Sequence, residues 1–180
     1  MKMSDTRQIA APPSAVYAAL LNPDVLKSCV PGATDVSGDP ENGFEATVVQ
    51  KVGPVKATFK GQVSLSNMVE NESLTIDGEG KGGAAGFAKG GAQVRMSPSD
   101  GGTELSYDVE AKVGGKLAQL GSRIIDGFAK KMADQFFSNL QQTLEAPSEV
   151  QSAPEDEAEA KDVAEQGAKK GWLGRLKGKN

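Results

Sequence analysis

Two-residue alternation in the middle of the chain limits its fold more than any other feature. Val55, Ala57, Phe59, Gly61, Val63 and Leu65 alternate with Lys56, Thr58, Lys60, Gln62 and Ser64. Leu105, Tyr107, Val109, Ala111 and Val113 alternate with Ser106, Asp108, Glu110 and Lys112. Phe44 to Val52, Leu74 to Gly80 and Ala88 to Met96 repeat the pattern less strictly. Successive side chains of a strand point to opposite faces, so this pattern predicts antiparallel strands with one dry and one wet face. Gly53-Pro54, Asn67 to Glu72 and Ser97 to Gly102 supply turns, and strands joined by short turns form a meander.

The period changes from two to about 3.6 after Gly114-Gly115. Leu117, Gly121, Ile124, Phe128, Met132, Phe136, Leu140 and Leu144 fall at three- and four-residue spacing and predict one amphipathic helix from Lys116 to Glu145. At 1.5 Å per residue it spans about 45 Å, enough to cross a whole sheet. Earlier, Ala11-Pro12-Pro13 breaks a short first strand. Ser14 then caps a helix from Ala15 to Leu21, and Asn22-Pro23 starts a second that ends near Pro31-Gly32. The expected architecture is α+β, a curved antiparallel sheet gripping a long C-terminal helix. Gly61, Gly78, Gly80, Gly90 and Ala92 face inward, and Ala118, Gly121 and Ala129 keep the helix thin. Small residues on both walls give either close contact or a cavity, and the pattern leaves both open.

Composition removes most chemistry. There is no histidine, and Cys29 is the only cysteine. Histidine-based triads, Cys/His nucleophiles and imidazole–thiolate metal sites are therefore excluded, as is an intramolecular disulfide. Of the carboxylate pairs, Asp77 with Glu79 and Asp108 with Glu110 lie on the wet face, where nothing desolvates a substrate. Tyr107 points inward, as a packed core residue or as a donor to a ligand carbonyl. Cys29 reads as a small buried hydrophobe. The glycine-rich run from Gly78 to Ala92 is not a P-loop, because Gly80-Lys81 is followed by Gly82 rather than Ser or Thr and β-pattern flanks it. It reads as bulge and close-approach glycine, or as a flap over Gly82 to Gly91 tipped by Phe87.

Charge divides the chain into three parts. Residues 1–146 form the expected folded domain. Residues 147–168 hold seven acids against Lys161 alone and no apolar stripe, the composition of a flexible linker with a reach on the order of 25 Å. Residues 169–180 carry Lys169, Lys170, Arg175, Lys177 and Lys179 with no acid. Trp172, Leu173 and Leu176 share one side if helical, as in an interfacial anchor on anionic lipid. The other readings of that tail are a solubilising basic segment and a peptide that docks on an acidic protein partner. The net charge of the whole chain is −4, the domain offers no basic groove, and nucleic acid is not expected as a partner. No apolar run is long enough to span a bilayer and no secretory signal is expected, so the expected location is cytoplasmic and peripheral to the membrane.

Several local sequences converge on one family. Val30-Pro31-Gly32-Ala33, Gly61, Gly78 to Gly91, Gly102 to Tyr107 and, most specifically, Gly114 to Arg123 continuing to Phe136-Phe137 together resemble the carbon monoxide dehydrogenase G-subunit family, a START-like (helix-grip) branch. The resemblance covers about residues 3–145. It implies a non-catalytic accessory protein of a molybdenum hydroxylase, with a hydrophobic cavity between sheet and helix. It further implies recruitment of the dehydrogenase to the membrane, or handling of a lipophilic electron acceptor such as a quinone. Phe59, Phe87, Met96, Tyr107, Leu120, Ile124 and Phe128 are the wall residues expected to hold an apolar small molecule. An isoprenoid quinone is the expected ligand, with no metal or covalent cofactor. Lys169, Lys170, Trp172, Leu173, Arg175, Leu176 and Lys177 are the expected membrane or partner contacts. A docking or maturation factor with a packed interior is the competing reading.

Overall fold

A computed structural model describes residues 1–146. The chain enters as strand β1 (Lys2–Ile9), passes through helices α1 (Pro13–Leu20) and α2 (Pro23–Cys29), and then runs as β2 (Ala33–Asp39), β3 (Gly43–Val52), β4 (Val55–Val69), β5 (Ser73–Lys81), β6 (Phe87–Ser99) and β7 (Gly102–Gly114) before helix α3 (Ser122–Glu145). The seven strands make one sheet in the order β1-β7-β6-β5-β4-β3-β2. Every neighbouring pair is antiparallel. β2 to β7 are thus a simple meander, and β1 closes onto its far edge.

The alternation carries through to the sheet. Along β4, each residue from Val55 to Leu65 on the dry phase is half-buried and each between them is exposed. In β7, Thr103, Leu105 and Tyr107 are buried. β2 has no counterpart in the apolar pattern, because Thr34-Asp35-Val36-Ser37-Gly38-Asp39 is too polar to announce a strand. Its place at the sheet edge permits that polarity.

The ends of the helices differ from the expectation. α1 starts at Pro13 rather than Ala15, with Pro12 at the cap and no side-chain capping bond, so Ser14 is not the cap. Asn22 does cap α2, accepting from the amides of Asp24 at 2.9 Å and Val25 at 3.3 Å. The long helix begins at Ser122, not Lys116. Gly121 sits at φ +85, a left-handed conformation that stops helix propagation, and a 3₁₀ turn (Ala118–Leu120) precedes it. The 24 residues of α3 therefore span about 36 Å.

Packing is concentrated at one end of the grip. Ile9, Val16, Leu20, Cys29, Leu74, Met96, Leu105 and Leu140 form the core there. Thr103, fully buried, donates its hydroxyl to the carbonyl of Ala11 at 2.6 Å and ties β7 to the bend after β1. Toward the start of α3 the inner wall thins. A Cβ built on Gly80 would meet nothing within 4 Å, and one on Gly127 of α3 would also find open space.

Candidate ligand-binding site

Between the concave face of the sheet and the helices lies a cavity of about 370 Å³. The sheet contributes Phe44, Val63, Leu65, Ile76, Val94, Leu105 and Val109. Leu20, Leu26 and Val30 close it on one side, and Met132, Ala133, Phe136 and Phe137 of α3 form the roof. Tyr107 is the one wall residue with a side-chain oxygen or nitrogen. Pockets for small apolar ligands run from roughly 300 to 1,000 Å³ and combine greasy walls with a few placed polar groups. Larger hollows on the outer face, such as the one of about 950 Å³ bordered by Glu45, Asp77, Glu79, Lys89 and Glu110, are lined by charged side chains and do not suit such a ligand.

Tyr107 sits where sheet meets helix. Its ring stacks on Phe137 with centroids 5.1 Å apart and planes 18° apart. Phe136 meets the Phe137 ring edge-on at 5.2 Å. The guanidinium of Arg7, from edge strand β1, lies 5.6 Å from the Phe137 centroid, a cation–π distance. Arg7 pairs with Asp5 at 2.8 Å and with Asp134 on α3, clasping the sheet edge to the helix. Asp134 above all holds the Arg7 guanidinium in its charged form, raising its pKa against the opposing effect of burial; Tyr107 and Asp5 add to the rise. Arg7 Nε is buried with no hydrogen-bond partner among the described residues. The apolar cavity thus has a polar corner built from Tyr107 with Arg7 behind it.

The predicted wall residues scatter along the grip. Tyr107 lines the cavity. Met96 is packed in the core instead. Phe59 lies half-buried against Gly82, beside the loop between β5 and β6. Phe128 is half-buried on α3, while Leu120 and Ile124 sit near the hairpin turn at Gly53. Phe87 is on the outer face, because it shares the phase of Lys89 and Gly91 along β6, and it is 45 % exposed. The flap expected over Gly82 to Gly91 divides into a 3₁₀ turn (Gly83–Ala85) and the first paired residues of β6. The wall residues absent from the expectation are mainly aliphatics that the alternation itself places on the dry face. A preference for aromatics passes over Val63 and Leu65, and a stripe centred on Ile124 and Phe136 misses Phe137. The linker and the tail residues Lys169, Lys170, Trp172, Leu173, Arg175, Leu176 and Lys177 lie outside the described residues.

Comparison with known proteins gives two results. The sequence model of the CoxG family, described as the G subunit of carbon monoxide dehydrogenase, matches residues 6–145. Solved structures share the fold. A conserved protein from Geobacillus kaustophilus superposes with a TM-score of 0.75 at 23 % identity, covering 80 % of this chain and 95 % of the other. A Thermus thermophilus protein gives 0.61 at 14 % identity, covering 82 % and 99 %. One from Chromobacterium violaceum gives 0.60 at 19 % identity, covering 80 % and 96 %. No curated protein matches the sequence.

Proposed function

Since the chain belongs to the CoxG family of carbon monoxide dehydrogenase, with an accessory role beside that dehydrogenase, we propose that it is a non-catalytic carrier for the enzyme's lipophilic electron acceptor. The domain holds an isoprenoid quinone in the cavity between sheet and helix, and the basic tail links the dehydrogenase to the membrane. The observation that carries this reading is a cavity of about 370 Å³ walled by apolar side chains except at Tyr107. A quinone ring and its first isoprene units match such a space, and a phenol on the wall can donate to a ring carbonyl. Longer isoprenoid chain would run past the small residues Gly61, Gly78 and Gly80 on the inner face toward the start of α3. The reading as a docking or maturation factor rests on a packed interior, and the cavity weighs against it.

Gentle purification from native cells, organic extraction and mass spectrometry test the proposal. A quinone recovered near one per chain supports it. An extract still empty after incubation with native membranes overturns it.

A further inference from the structure

Antiparallel meander topology places alternate turns at opposite ends of a sheet, and here it sorts the charges. Residues 51–60, 80–89 and 111–125 come together at the end where α3 begins. They hold Lys51, Lys56, Lys60, Lys81, Lys89, Lys112, Lys116 and Arg123, and the acids bordering these segments are Glu79, directly across the sheet from Lys89, with Glu110 and Asp126. The turn regions at the other ends of the same strands, residues 37–44, 67–76 and 97–104, hold Asp39, Glu41, Glu70, Glu72, Asp100 and Glu104, and no cation. All eight cationic residues are exposed. Lys81 pairs with Glu79 at 3.2 Å, and the other seven have no ion-pair partner among the described residues. A folded domain that is acidic in sum thus has one strongly basic end.

The basic segments form one surface. The amide of Leu117 donates to the carbonyl of Ala85 at 3.0 Å, joining the stretch before α3 to the β5–β6 loop. A Cβ on Gly53 would lie 3.6 Å from Ile124 Cγ2 and 4.0 Å from Leu120 Cδ1, so the β3–β4 turn abuts the first turn of α3. Large apolar side chains also stand in the open here, Ile124 at 43 % exposure and Phe87 at 45 %. Isolated apolar tips set among lysines suit a bilayer interface, where the tips enter the acyl boundary and the ammonium groups meet anionic headgroups. Nucleic acid is favoured instead by a groove and by forked guanidinium contacts, and seven of the eight cations are lysines.

We infer that the β3–β4 turn, the β5–β6 loop and residues 114–124 form a membrane-docking surface of the domain itself, specific for anionic lipid and separate from the C-terminal tail. The acidic opposite end orients this contact, since an anionic surface repels it. The inference holds whether or not the cavity carries a quinone.

Flotation of the full chain with vesicles tests it. The tail is first neutralised as K169Q, K170Q, R175Q, K177Q and K179Q, so that its side chains no longer supply charge. This protein is expected to float with 3:1 phosphatidylcholine–phosphatidylglycerol vesicles and not with phosphatidylcholine alone. Adding K51E, K56E, K116E and R123E is expected to cut the partition coefficient on the order of 100-fold. The milder set K51Q, K56Q, K116Q and R123Q guards against misfolding and is expected to cut it roughly 10-fold. Ile124→Ser alone is expected to weaken binding several-fold. Failure of the tail-neutralised chain to float, or indifference to both cation sets, would overturn the inference. Binding insensitive to Ile124→Ser, or a DNA duplex retained as tightly as vesicles of equal charge, would replace the bilayer with a soluble polyanion and overturn it too.

Discussion

Tyr107 on β7 and Phe137 on α3 stack with ring centroids 5.1 Å apart, and this pair pins the long helix to the sheet. Few other contacts do so beyond the packed end, because the space beside the pair is the cavity. The helix is therefore held at its C-terminal half and by the Arg7–Asp134 clasp, while its first turns face a thin wall.

Phe137→Ala removes a buried ring and leaves Tyr107 without its stacking partner. It is expected to lower the free energy of unfolding by about 3–4 kcal/mol, read from urea denaturation followed by circular dichroism. A loss below about 1 kcal/mol would show that the helix is held elsewhere.

Tyr107→Phe separates binding from stability. Deleting the hydroxyl is expected to change stability by no more than about 1 kcal/mol. Affinity for a short-chain quinone is expected to fall about 5- to 10-fold, since one hydrogen bond in an apolar site contributes roughly 1–1.5 kcal/mol. A deoxygenated hydrocarbon analogue serves as control, and its binding by fluorescence quenching should not change. Equal loss for both probes would mean that the phenol packs rather than recognises a carbonyl.

Two inner-face glycines predict opposite results. Gly80→Ala places a methyl where nothing lies within 4 Å, and it should raise stability by roughly 0.5–1 kcal/mol through lost backbone freedom in the unfolded chain. Gly90→Ala drives its Cβ into the carbonyl oxygen of Glu110 and the Cα of Ala111, and should cost on the order of 2 kcal/mol or more. Thermal melts of the two variants, run side by side, check the sign of each.

Alkaline stability follows from Cys29 and Tyr17. Burial raises the pKa of the Cys29 thiol, with Thr143 opposing, and burial raises that of Tyr17, with Glu70 adding. Each group releases its proton more readily in the unfolded chain, so its contribution is complete below its unfolded pKa and lost as pH rises through the folded one. The urea midpoint should be flat from neutral pH up to the ordinary thiol value of 9.0 and decline beyond it. In Cys29→Ala the first part of the decline should vanish. The same slope in parent and variant would assign the loss to other groups.

Much of this protein was legible in its sequence because local rules decide it. The alternation in Val55 to Leu65 fixes which side chains face the core, since side-chain direction in a strand has a period of two. Asn22-Pro23 announces the start of α2, since the asparagine oxygen and the proline φ both fit a helix N-terminus. Gly121 shows the limit. It fits the apolar stripe by spacing, yet its left-handed φ keeps the helix from starting before Ser122, a choice made by the turn that brings α3 back over the sheet. Whether Gly61, Gly78 and Gly80 meant close contact or a void depended on how far the helix stood from the sheet. No one-dimensional pattern carries that distance. The same holds for charge. Composition determined that the chain is acidic in sum, but only the antiparallel order of the strands carried Lys51, Lys56, Lys116 and Arg123 to one end and Glu70, Glu72 and Asp100 to the other, because residues distant in sequence become neighbours only when the strands pair.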